Sequence, residues 1–84
     1  MNINKNIAVS DSGFVFNPTT GESYSVNPIG VEIIELLKQE KTVDEINQTL
    51  TERYNADIVT IEKDVADFVT LLVQYSLIEN QNAA

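Results

Sequence analysis

Cysteine and histidine are both missing from this 84-residue chain, and basic residues are scarce: five Lys and Arg stand against thirteen Asp and Glu. Without cysteine there can be no disulfide, no thiolate metal site and no cysteine nucleophile. Without histidine the commonest general base and the commonest metal ligand are gone. The formal net charge of −8 sets up a field that repels a phosphate backbone and favours a neutral or basic protein partner. No stretch approaches the apolar length of a membrane span, and the N-terminal MNINKNIAVS lacks the apolar centre of a signal peptide. The expectation is a cytoplasmic, soluble, single domain over 1–84, ordered from about residue 5 to 79.

The search for catalytic chemistry is equally bare. The three glycines are isolated, so no glycine-rich phosphate loop exists. Asp64 and Asp67, like Glu32 and Glu35, lie three apart and can share a helix face, an arrangement that ordinarily marks a solvated surface. Ser10, Ser12, Ser23 and Ser25 have no base to activate them, and Tyr24, Tyr54 and Tyr75 read as boundary aromatics with the hydroxyl towards water. Neither an enzyme nor a resident cofactor or metal is expected.

What is present is written in two periods. Up to residue 26 the alternation is that of strands: Ile7 and Val9 against Ala8 and Ser10, Phe14 and Phe16 against Val15, Tyr24 and Val26 against serines. Asp11-Ser12-Gly13 and Asn17-Pro18-Thr19-Thr20-Gly21 break these runs as hairpin turns. The spacing predicts a three-stranded antiparallel meander. From residue 27 the period becomes helical. Asn27-Pro28 reads as a cap with proline in the first turn, opening a helix on Ile29, Ile33, Leu36 and Leu37 that ends near Glu40. Thr42-Val43-Asp44-Glu45 is a capping box for a second helix on Val43, Ile46 and Leu50, to about Tyr54. Asp57 caps a third helix that ends near Ser76, leaving Leu77-Ile78 as a short apolar tail before a frayed ENQNAA. The fold class is therefore α+β: a three-stranded antiparallel sheet followed by three helices, compatible with a winged helix-turn-helix.

The third helix is more apolar than one core face requires. At about 100° per residue, Ile61, Val65, Phe68 and Leu72 form a central stripe, with Leu71 and Tyr75 on one flank and Ala66, Val69 and Val73 on the other. Two readings stand: a central helix covered on several sides, or a helix with one flank lining a groove. The third strand, Glu22 to Val26, is last in the meander and lies at a sheet edge with unpaired backbone groups. An edge strand beside an apolar helix flank is what peptide recognition by strand addition needs.

Order and spacing of several short strings then resemble a known family. Ile7-Ala8-Val9-Ser10, Gly13-Phe14-Val15-Phe16-Asn17 and Thr20-Gly21-Glu22-Ser23-Tyr24-Ser25-Val26-Asn27-Pro28-Ile29-Gly30, with the later Asp64-Val65, Phe68-Val69, Leu72 and Leu77-Ile78, look like the PqqD family over residues 7 to 79. Ser76 stands where that family's helix-ending glycine is usual, and Val26 where leucine is usual. The resemblance implies a winged-helix-like peptide chaperone. Such a domain binds the leader of a ribosomally made precursor peptide and presents it to a modifying enzyme, in the type member a radical S-adenosylmethionine protein. It further implies a leader lying along the third strand against the third helix. Carried onto this chain, Ser23, Tyr24, Ser25 and Val26 would supply the strand edge, and Asp64, Val65, Phe68 and Leu72 the helix side. The helical wheel adds Leu71.

Two other classes remain open at this point. A DNA-binding winged helix would use the third helix for recognition, but that helix carries Glu62, Asp64 and Asp67 against Lys63 alone. A structural subunit would use the apolar flank for dimerisation, whereas a peptide binder would be a monomer or a weak homodimer.

Overall fold

A computed structural model describes residues 2–4 and 6–79 and bears out the α+β order, with one addition. The strands are β1 (Asn2–Ile3), β2 (Ala8–Val9), β3 (Phe14–Asn17) and β4 (Glu22–Ser25); the helices α1 (Pro28–Lys38), α2 (Val43–Tyr54) and α3 (Ile58–Gln74) follow, and β5 (Ile78–Glu79) closes the series. The expected meander is the sheet β2-β3-β4, antiparallel throughout. The addition is a second, two-stranded sheet in which β1 pairs with β5, Ile3 opposite Ile78. Leu77-Ile78 is thus not a tail: Ile3, Leu77 and Ile78 are buried in the core, and the Asn4 N–H donates to the Leu77 carbonyl at 2.9 Å. Two-residue strands carry too little period to be read from sequence, and only the fold brings these two together. Asn80 to Ala84, most of the segment expected to fray, lie outside the described residues.

Local chemistry explains the boundaries. In the first hairpin the Gly13 N–H donates to the Ser10 carbonyl at 3.0 Å and Gly13 takes a φ of 93°. A Cβ there would stand 2.3 Å from the Val26 carbonyl oxygen, so this corner demands glycine. The second turn is built on Asn17, 1% exposed, whose side-chain oxygen accepts from the Thr19 N–H while its carbonyl accepts from Gly21. Asn27 caps α1 as expected, accepting from the Gly30 N–H at 2.8 Å. The Thr42–Glu45 capping box is complete in both directions. Asp57 holds the cap position of α3 but makes no side-chain bond to the helix backbone; its carboxylate accepts from the Thr60 hydroxyl at 3.5 Å instead.

Helix α1 ends at Lys38, two residues before the expected Glu40, because Glu40 enters the left-handed region at φ 64°. Lys41 then donates to Leu36 and Glu40 to Leu37, closing a Schellman motif. Helix α3 finishes in the same way. Ser76 takes φ 61°, its N–H donates to Val73, and Leu77 donates to Leu72, which is also buried. The absent glycine therefore does not blunt this cap. Serine adopts the glycine conformation at a steric cost.

The core joins one face of the meander to all three helices and the β1–β5 ribbon: Ile7, Val15, Ile33, Ile34, Ile46, Leu50, Val65 and Leu72 are each 2% exposed or less. Strand parity decides the sheet's orientation. Val15 is fully buried, while Phe14 and Phe16 are 55% and 43% exposed. Turning the two phenylalanines inward would have expelled Val15, Asn17 and Tyr24 together, since a one-residue shift moves every side chain of a strand to the other face. On the helical side, Glu32 of α1 holds the end of α2, accepting from Arg53 at 2.6 Å and from the Tyr54 hydroxyl.

Candidate functional site

The place where sheet, α1 and α3 meet is set by ladder geometry. In β3–β4, Val15 lies opposite Tyr24, Phe16 opposite Ser23 and Phe14 opposite Ser25. The Val26 N–H donates to the Gly13 carbonyl, while the Phe14 carbonyl is spent on Ser10 in the neighbouring strand. An antiparallel ladder alternates bonded and non-bonded pairs. Tyr24 therefore turns its N–H and C=O inward to Val15, whereas Ser23 and Ser25 turn theirs outward. No strand covers that side of β4 among the described residues. The edge thus offers two donors and two acceptors at a two-residue repeat.

Beside this edge lie two adjoining hollows that share Phe68 and Leu71. The smaller, of about 250 Å³, runs between β4 and the C-terminal half of α3, where Tyr24, Val26, Leu72 and Tyr75 line it with the two shared residues. Within that lining the rings of Tyr24 and Tyr75 stack on each other, joining β4 to the end of α3. The larger, of about 450 Å³, lies between the N-terminal turn of α1 and α3. Ile29, Gly30 and the buried Ile33 form its α1 side, and Asp64 and Asp67 stand at its exposed margin. Burial raises the Tyr24 phenol above its ordinary value, with Glu22 adding to the effect.

The residues anticipated from sequence fall into three groups. Ser23, Tyr24, Ser25 and Val26 form β4 and its continuation, beside the hollows. Asp64, Phe68 and Leu71 line the hollows from α3, with Leu71 38% exposed and Phe68 half-buried. Leu72 reaches the smaller hollow although only 1% exposed, while Val65, equally buried, lines neither and sits in the core. Sequence reasoning passed over Ile29, Gly30 and Ile33, because a helix start reads as core until something opens in front of it. Gly30 carries a signal in hindsight. A Cβ there would meet the Phe68 ring at 3.0 Å and the Val26 Cβ at 3.1 Å, so a glycine inside an otherwise regular helix marks close approach of α3 and the strand. Among the described residues no three acidic side chains converge as they would around a metal ion. No helix among them is long and apolar enough to cross a membrane.

Comparison with known proteins gives this geometry a lineage. Residues 13–78 match the family described as coenzyme PQQ synthesis protein D (PqqD). The chain belongs to the PqqD family. No curated protein sequence matches it. Among solved structures, this PqqD-family chain is similar to TbiB1 in complex with the TbiA(beta) leader peptide, with 28% identity, a TM-score of 0.85, and 95% of this chain and 96% of that one aligned. It also shares its fold with lasso peptide synthetase B1 complexed with the leader peptide, at 24% identity and a TM-score of 0.77, over 94% of this chain and 92% of that one. Strands β3 and β4, the open edge and the α3 groove all fall within the matched span of the PqqD family.

Proposed function

We propose that this PqqD-family chain is a non-catalytic carrier that binds the leader of a ribosomally made precursor peptide and presents it to a modifying enzyme. The leader adds as a strand to β4, with alternate side chains entering the hollows against α3. The observation that carries this reading is the outward-facing backbone of Ser23 and Ser25 directly beside an apolar groove. Backbone bonds would supply sequence-tolerant affinity, and the hollows would select side chains at every second position. The similarity to TbiB1, a protein solved with a leader peptide bound, supports the choice of ligand. Val65 acts beneath the groove, holding α3 in place, rather than touching the peptide.

DNA binding is disfavoured on the surface of α3 itself. Lys63 is the sole cation of α3 and stands among Glu62, Asp64 and Asp67, so the helix presents a net negative face to a phosphate.

Titration with a synthetic leader from a precursor encoded beside this gene tests the proposal. Amide resonances of residues 22–26 and 61–72 should shift together. Shifts confined to α2, or none, would dismiss the groove. Ser23→Pro is the sharper variant. It removes an outward N–H without touching the β3–β4 ladder, so stability should hold while peptide affinity drops; undiminished affinity would exclude strand addition in this register.

A further inference from the structure

The larger hollow has a chemistry that strand addition does not account for. Its walls are apolar, from Ile29, Ile33, Phe68 and Leu71, yet both ionisable groups lining it are carboxylates, Asp64 and Asp67. Three apart on α3, they lean to the same side. We infer that this hollow takes a lysine or arginine side chain of the bound peptide, its methylene stem against the apolar wall and its cationic head between Asp64 and Asp67. The inference rests on the leader-binding reading and names what one position of the leader must be.

Three observations favour a cation over the alternatives. Asp64 has no hydrogen-bond or ion-pair partner among the described residues, and Asp67 has only Lys63, in a pair whose side chains are 76% and 69% exposed. So exposed a pair is weak and gives way to a better-placed partner. A wholly apolar ligand side chain would cover the apolar wall but leave the two carboxylates at the margin without a partner, so it is the less complementary occupant. An anionic side chain would need donors, and of the first four residues of α1 only Ile29 has an N–H to spare. Pro28 has no N–H, the Gly30 N–H is held by the Asn27 side chain, and the Val31 N–H by the Asn27 carbonyl. A long basic side chain satisfies both halves of the hollow, its stem apolar and its head a cation, whereas tyrosine or tryptophan would bring a single neutral donor to two carboxylates. The net charge of −8 draws such a peptide in at long range.

Selection from a displayed library of random peptides against the intact chain tests this. Groove binders are those whose capture is lost on the Ser23→Pro variant. They should share a lysine or arginine at a fixed offset from their apolar positions. For one such peptide, replacing that lysine by norleucine keeps the stem and removes the charge. Affinity should fall about five- to tenfold, and the Asp64→Asn/Asp67→Asn double variant should cost the unmodified peptide a similar factor. The two losses should not add, and both should shrink in high salt. Groove binders without basic enrichment, or equal affinity for the double variant, would overturn the inference and leave the leader reading intact. Recovery of no Ser23→Pro-sensitive binder would instead remove the leader reading, and this inference with it.

Discussion

The rings of Tyr24 in β4 and Tyr75 at the end of α3 stack with centroids 4.4 Å apart and planes 14° from parallel, fastening the strand edge to the helix within the lining of the groove. Neither belongs to the buried core, so the pair acts as a clasp between two elements that a ligand must lie across. Removing one ring should loosen the groove more than the fold. Tyr75→Ala is expected to lower unfolding free energy by about 1 kcal/mol, read from urea denaturation, and to weaken peptide binding by a larger factor than that loss predicts. An unaltered affinity would mean that the clasp does not shape the site.

Gly30→Ala offers the converse separation. Alanine is the better helix residue by roughly 1 kcal/mol, but its methyl would press on the Phe68 ring. Phe68 is half-buried and borders both hollows, so its ring has room to move into the groove. Thermal stability should stay close to that of the parent while peptide affinity declines, as followed by melting and by titration in parallel. Lost stability with preserved affinity would show that Phe68 cannot yield.

Ser76 occupies a left-handed position inside a complete Schellman motif. Ser76→Gly removes the clash of its Cβ with the backbone and should raise stability by about 1 kcal/mol, since the hydrogen bonds of the cap are already in place. Denaturant midpoints at constant slope would report it. A drop in stability would indicate that the gain in unfolded-chain entropy from glycine prevails.

The Glu32 cluster makes stability depend on pH. Burial by itself would raise the Glu32 carboxyl, but hydrogen bonds from Tyr54 and Arg53 outweigh it and hold the group below its ordinary value of 4.5. A folded-state value that is lowered gives stability that is complete above about 4.5 and is lost as pH falls through the lowered value. Glu32→Gln should therefore cost stability at pH 7 and flatten the acid side of the pH profile, which melting temperatures between pH 7 and 3 would show. A profile of unchanged steepness would assign the acid sensitivity to other carboxylates.

How much of this could be read from the chain alone follows from the range over which each signal acts. Caps, turns and periods are local, and Asn27, the Thr42–Glu45 box, Gly13 and the apolar stripe of α3 announced the three helices and the meander without help from anything distant. The missing cysteine, the missing histidine and the surplus of acid argued against catalysis and nucleic acid by the same kind of local chemistry. Three things needed the tertiary structure. Alternation placed Phe14 and Phe16 opposite Val15 but left open which set faces the helices; the answer came from the joint demand of Val15, Asn17 and Tyr24. The β1–β5 ribbon joins residues at opposite ends of the chain, and two-residue strands have no period to betray them. The groove likewise exists only because Gly30 lets α3 approach α1 and Val26. That approach divides the broad apolar arc of α3 into Val65, which packs the core, and Phe68 and Leu71, which line the site. Sequence sets which residues are apolar and where each element begins; the packing of distant elements decides which of those apolar surfaces is left open for a partner.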